Sequence, residues 1–152
     1  MKKFELTSEF VTFLGKKLFR IKALVSFGDV KEGELGGLVE KEENLDQSGN
    51  AWVSGDARVY GDARVYGDAW VSGDARVQNC RDYSATSCFG SGNRTTTFFR
   101  TKDGGISVRC GCFYGTLNEF REKVKERHGD SRLAKEYLML ADLMEFRLSK
   151  DE

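Results

Sequence analysis

The chain has a single histidine, no proline and no net charge, its 24 Lys and Arg being offset by 24 Asp and Glu over 152 residues. Each shortage excludes something. A neutral balance provides no bulk field to draw the protein onto duplex nucleic acid or an anionic membrane, so any anion site must be local. No apolar run approaches the length that spans a bilayer, and MKKFELTSEF at the N-terminus lacks the apolar stretch of an export signal. The expected compartment is the cytoplasm. In that reducing setting Cys80, Cys88, Cys110 and Cys112 are expected to be free thiols rather than a disulfide framework. A four-thiolate zinc site usually has two pairs separated by two to four residues. Here the intervening stretches are seven residues and one. No metal or other cofactor is implied.

What is abundant is a period of six. From Gly49 the text runs GNAWVS, GDARVY, GDARVY, GDAWVS, GDARVQ. Val53, Val59, Val65, Val71 and Val77 recur in step with Ala51, Ala57, Ala63, Ala69 and Ala75. Neither a helical period nor simple strand alternation gives that spacing. The physical reading is a short strand with one inward β-branched residue, then a tight turn of Gly with Asp or Asn, and a small Ala where the corner leaves little room. One hexad alone buries almost nothing; stacked coils bury a continuous valine column, so the repeat stabilises itself only as an array. Tyr83, Phe89 and Thr95 keep the six-residue beat after Val77, which extends the expected repeat region over 49–95 with a widened last coil. Upstream, Val39 and Leu45 are six apart and Val53 follows eight later, as expected for a first coil with a two-residue insertion.

The flanks read differently. FVTFLGKKLFRIKALV is apolar on both sides of Gly15-Lys16, which predicts a hairpin covering the open end of the repeat, with the cap and first coil together spanning 1–48. TTTFFRTKDGGISVRCGCF predicts a second hairpin broken at Lys102-Asp103-Gly104-Gly105. Thr116 followed three residues later by Glu119 forms a capping box for a helix near 117–128, which Gly129 ends. Asp130 or Ser131 caps another helix near 132–148 with Leu133, Tyr137, Leu140, Met144 and Leu148 along one face. The segment 96–152 is thus a hairpin and helical tail, expected to fold with the rest as one cooperative unit.

GDARVYGDARVYGDA resembles the hexapeptide-repeat, left-handed parallel β-helix family, and the resemblance covers about a third of the chain. It implies a mainly β fold in which three hexads make one triangular coil, and commonly a homotrimer. The whole order, from LGGLVEKEENL through the repeats to CGCF and a helical tail, is similar to small β-helix proteins of phages and prophages. The scarcity of histidine then matters. Acyltransferases of the family rely on a histidine base and its carbonic anhydrases on three histidines per metal, whereas this chain has only His128, outside the repeat. The hydratase reading fails by counting. An acyltransferase would have to use His128 as base, with Cys110 and Cys112 near the cleft.

With three hexads per coil, residues eighteen apart share a face. Trp52 lies with Trp70, Arg58 with Arg76 and Arg94, and Arg64 with Asp82. An outward tryptophan pair would be a stacking platform, and an arginine column offers forked donors that match phosphate oxygens. The plainer alternative buries the tryptophans against a sister subunit and neutralises the arginines with Asp56, Asp62, Asp68 and Asp74. FGSGNRTTTFF gathers Ser91, Asn93, Arg94, Thr95 and Thr96 around two glycines, a composition suited to a backbone anion nest or simply to a polar loop. The expected function is a non-catalytic homotrimer that holds a small phosphorylated or nucleotide-like ligand between subunits. By family analogy it would sequester an immune signalling nucleotide in the host cytoplasm on behalf of a phage. The rivals are the acyltransferase and a structural or protein-binding module, which a large exposed apolar patch on the helical tail would favour.

Overall fold

The computed structural model describes residues 2–89, 94–110 and 113–149, and for Cys88, Phe89 and Arg94 the backbone alone. The fold is mainly β with two helices, and contact density divides it into two compact units, Met1–Cys80 and Arg81–Glu152.

In the first unit, strands β1 (Phe4–Phe13) and β2 (Lys16–Ala23) form an antiparallel hairpin turning at Leu14 and Gly15, both with positive φ. β2 pairs antiparallel with β3 (Leu35–Val39). From there the repeat continues as two-residue strands: β4 (Trp52–Val53), β5 (Arg58–Val59), β6 (Trp70–Val71) and β7 (Arg76–Val77). β3 pairs parallel with β5, β5 with β7, and β4 with β6. The offsets record the coil lengths. Val39 faces Val59 and Leu45 faces Val65, twenty residues on, whereas Val53 faces Val71 and Val59 faces Val77, eighteen on. The first turn of the stack therefore carries two extra residues, between Leu45 and Val53. Backbone N–H groups of Trp52, Ser54, Arg58 and Tyr60 donate to the carbonyls of Ala69, Val71, Ala75 and Val77 at 2.9–3.0 Å, so the segment's polar groups are satisfied by the next coil.

Between strands, the N–H of Ala57, Ala63, Ala69 and Ala75 closes back on the carbonyl three residues earlier at 3.2–3.3 Å. The glycine of each turn has φ between +62 and +68° at Gly55, Gly61, Gly67 and Gly73, a region that penalises any Cβ. At Gly61 a Cβ would also stand 2.8 Å from the Gln78 carbonyl of the next coil. Inside, every valine of the column is fully buried and every repeat alanine is at most 2 % exposed. Each such valine contributes about 1.5–3 kcal/mol.

The N-terminal hairpin is fastened to the stack by polar groups as well. The buried Lys3 ammonium donates to the carbonyl of Ala51 at 2.8 Å, with Gly49 and Ser48 at 3.3 and 3.4 Å, and lies 4.7 Å from the Phe27 ring centre. Burial pushes its pKa down to about 8. Arg20 donates to the carbonyls of Gly36 and Gly55 at 2.9 and 3.0 Å. The fully buried Asn44 is satisfied on both sides, accepting from the Lys41 N–H at 2.9 Å and donating to Ala63 O at 2.8 Å.

The repeat does not run to residue 95. Tyr83 to Thr95 belong to the second unit, an antiparallel meander of β8 (Tyr83–Phe89), β9 (Arg94–Arg100), β10 (Ile106–Cys110) and β11 (Phe113–Thr116). The false continuation has a simple origin: Tyr83 and Phe89 are the two ends of one strand and Thr95 falls on the next, so the six-residue spacing persists in the text without making coils. The informative signal is that the Gly-Asp-Ala corner stops after Ala75, its next place being taken by Asn79-Cys80. The second hairpin turns at 102–105 as expected.

Helix α1 (Leu117–His128) begins at Thr116, whose hydroxyl accepts from the Glu119 N–H while the Glu119 carboxylate accepts from the Thr116 N–H, and it ends at Gly129. α2 (Arg132–Leu148) begins at Ser131. Tyr137, Leu140, Met144 and Leu148 are buried, and Phe120 of α1 packs edge-on to Phe98 and Tyr137 at 5.8 and 5.7 Å. Arg121 ties the helices together through Asp142 and Glu145 at 2.8 and 2.7 Å. No helix among the described residues is long and apolar enough to cross a membrane.

Candidate functional site

Arg58 and Arg76 hold equivalent places in consecutive coils and face each other across the parallel ladder. Val59 and Val77 point into the core, so strand alternation turns both arginines outward. They meet Phe13, which the N-terminal hairpin delivers from more than forty residues away. The guanidinium carbons of Arg58 and Arg76 lie 4.8 and 5.6 Å from its ring centre, and Phe13 packs edge-on to Tyr60 at 5.3 Å.

Neither arginine makes an ion pair with a described carboxylate. Arg76 Nη1 instead donates to the backbone carbonyls of Ala75, Asp56 and Asp74 at 2.9, 3.2 and 3.2 Å. Burial first, and then the positive charge of Arg58, hold the Arg76 pKa below the ordinary arginine value, while Asp74 and Asp56 pull the other way from a distance. Arg58 Nε is buried with no hydrogen-bond partner among the described residues. Two half-buried guanidiniums side by side on an aromatic face can accept a multivalent oxyanion at their open side, which would relieve the repulsion between like charges.

The other expected site residues are dispersed. Trp52 and Trp70 do face each other in the ladder, but Trp52 is fully buried under its own chain and is no stacking platform. Phe27 packs edge-on to it at 5.4 Å, and a Cβ on Gly36 would be 2.6 Å from its ring. That cover also removes Trp52 from any contact with a sister subunit. Trp70 is half-buried and donates from Nε1 to Ser54 Oγ at 2.8 Å. Arg94 is not in the arginine column. Its backbone pairs with Phe89 in the antiparallel sheet, and its side chain, like Ser91, Asn93 and Cys112, lies outside the described residues. Thr95 shares a 3.0 Å hydrogen bond with Ser87, while Thr96 is fully buried and donates to Cys110 Sγ at 3.2 Å, which withdraws it from any ligand. Arg64 pairs with Asp46 at 3.1 Å, whereas Asp82 pairs with Arg100 at 3.2 Å in the other unit.

His128 ends α1, its ring stacked on Tyr137 at 5.8 Å, and lines a cavity of about 70 Å³ that Cys110 also borders. Cys80 is exposed, and among the described residues no three His, Cys, Asp or Glu side chains gather as metal ligands would. Sequence reasoning missed Phe13 and Tyr60. Tyr60 carried a signal, being the outward aromatic that follows Val59; Phe13 carried none, because its neighbours in space are remote in the chain.

Residues 57–73 match the family model described as YdcK Beta solenoid repeat. The matched stretch includes Arg58 and stops before Arg76, and it supports a repeat of β-solenoid type. No curated protein matches the chain.

Proposed function

We propose that the chain is a non-catalytic oligomeric binding protein whose repeats wind as a left-handed parallel β-helix of hexapeptides, assemble as a homotrimer, and hold a small phosphorylated or nucleotide-derived ligand at the arginine pair. The observation that supports it most is the half-buried Arg58–Arg76 pair over Phe13, neither arginine having an ion-pair partner among the described residues. With Trp52 buried, recognition runs through phosphate oxygens rather than through base stacking. On the resemblance to small phage β-helix proteins, the role is sequestration of a host signalling nucleotide.

The test is native mass spectrometry of gently purified protein, then thermal shift against pyrophosphate and a panel of linear and cyclic nucleotides, repeated on Arg58→Gln/Arg76→Gln. A trimer stabilised by phosphate-bearing ligands, with the shift lost in the double variant, supports the reading. A chain that no member of the panel stabilises refutes it. A second reading, the structural or protein-binding module, is favoured by one observation: α2 exposes Met139, Leu143 and Phe146 together.

A further inference from the structure

α2 is amphipathic on its inner side and apolar again on its outer one. Met139, Leu143 and Phe146 are 72, 55 and 83 % exposed and, at spacings of four and three, form one stripe along the helix. The charges beside the stripe differ on its two flanks. On one stand Lys135 and Asp142, the latter engaged by Arg121 of α1 at 2.8 Å. On the other stand Glu136, near the start of the stripe, and Arg147, at its end, neither with an ion pair among the described residues.

The geometry points to a second copy of this chain as the occupant of the stripe, the two α2 helices packing antiparallel about a two-fold axis near residues 141–142. In an antiparallel helix pair like flanks face each other, so Glu136 of one copy meets Arg147 of the partner subunit twice over, and Met139 of each copy packs on the partner's Leu143. A stripe of three side chains falls short of the ~800 Å² per partner of a standard interface. Association is therefore weak and rises with concentration.

The experiment is sedimentation velocity on the full chain over a concentration series, with thermal melts to show that each variant folds. The assembly mass is expected to rise at least twofold on concentration, from a monomer to a dimer or from a trimer, which carries three stripes, to a hexamer or larger, so the result does not depend on how the repeats assemble or on what they bind. Phe146→Asp and Leu143→Asp are expected to abolish the doubling without lowering the melting temperature. Glu136→Lys and Arg147→Glu each weaken it by about tenfold, and the two together restore it to near the original strength. Absence of doubling, doubling that survives Phe146→Asp, or charge reversals that fail to rescue each other would overturn the proposal.

Discussion

The two compact units stabilise β-structure in opposite ways. In Met1–Cys80 the strands below the cap are two residues long and gain their stability by repetition: each coil hands its N–H groups to the next and each hexad adds one valine to a common core. In Arg81–Glu152 the strands run four to seven residues, none repeats another, and a single core of aliphatic and aromatic side chains from sheet and helices, with Phe120 touching several of its rings, holds them. A repeat spreads its stability along the stack, whereas a layered unit concentrates it in a few large contacts.

The sharpest way to break the comparison is one charge in the column. Val59→Asp buries a carboxylate without a partner between two neighbouring coils and should cost more than about 4 kcal/mol. Hydrogen exchange should then show protection lost through the repeat while α1 and α2 keep theirs; loss in both would mean that the units fold only together. The reciprocal change, Phe120→Ala, removes the ring that Phe98, Phe113 and Tyr137 pack upon. It should cost about 3–5 kcal/mol, with exchange accelerated in α1 and α2 and the coils left protected.

A smaller effect is set by pH. Lys3 titrates near 8 in the folded chain against an ordinary value of 10.5. Between those values the unfolded chain holds the proton that the folded chain has lost, so stability rises with pH across this window, while below pH 8 the burial cost is present in full. Denaturant unfolding at pH 8 and pH 10 should show a gain on the order of 2 kcal/mol. Lys3→Met should remove that slope, and a slope unchanged in the variant would locate it elsewhere. The smallest effect belongs to a cap. Thr116→Ala removes the hydroxyl that accepts from Glu119 N–H at 3.1 Å and should cost about 1 kcal/mol, visible as a lower melting temperature with the repeat untouched.

How far the chain could be read in advance follows the range of the interactions. The hexad, its glycine corners, the two inserted residues, both hairpins, the capping box at Thr116 and the N-cap at Ser131 are local patterns, and all are present where the text places them. Spacing alone misplaces the end of the repeat, because Tyr83, Phe89 and Thr95 keep a six-residue count on two antiparallel strands that make no coil. The site was half legible: spacing alone aligns Arg58 with Arg76, but it also adds Arg94, which a different sheet claims.

What sequence determined by itself, then, is the coil and its register, because each hexad carries its own turn, inward valine and hydrogen-bonding edge. What tertiary structure alone decided is which outward residues stay outward. Trp52 and Arg58 leave the coil at equivalent positions, yet Ile21, Phe27 and Gly36 seal the first while Phe13 floors the second and leaves its guanidinium half open. Burial depends on what arrives from elsewhere in the chain, and no spacing within the repeat records that.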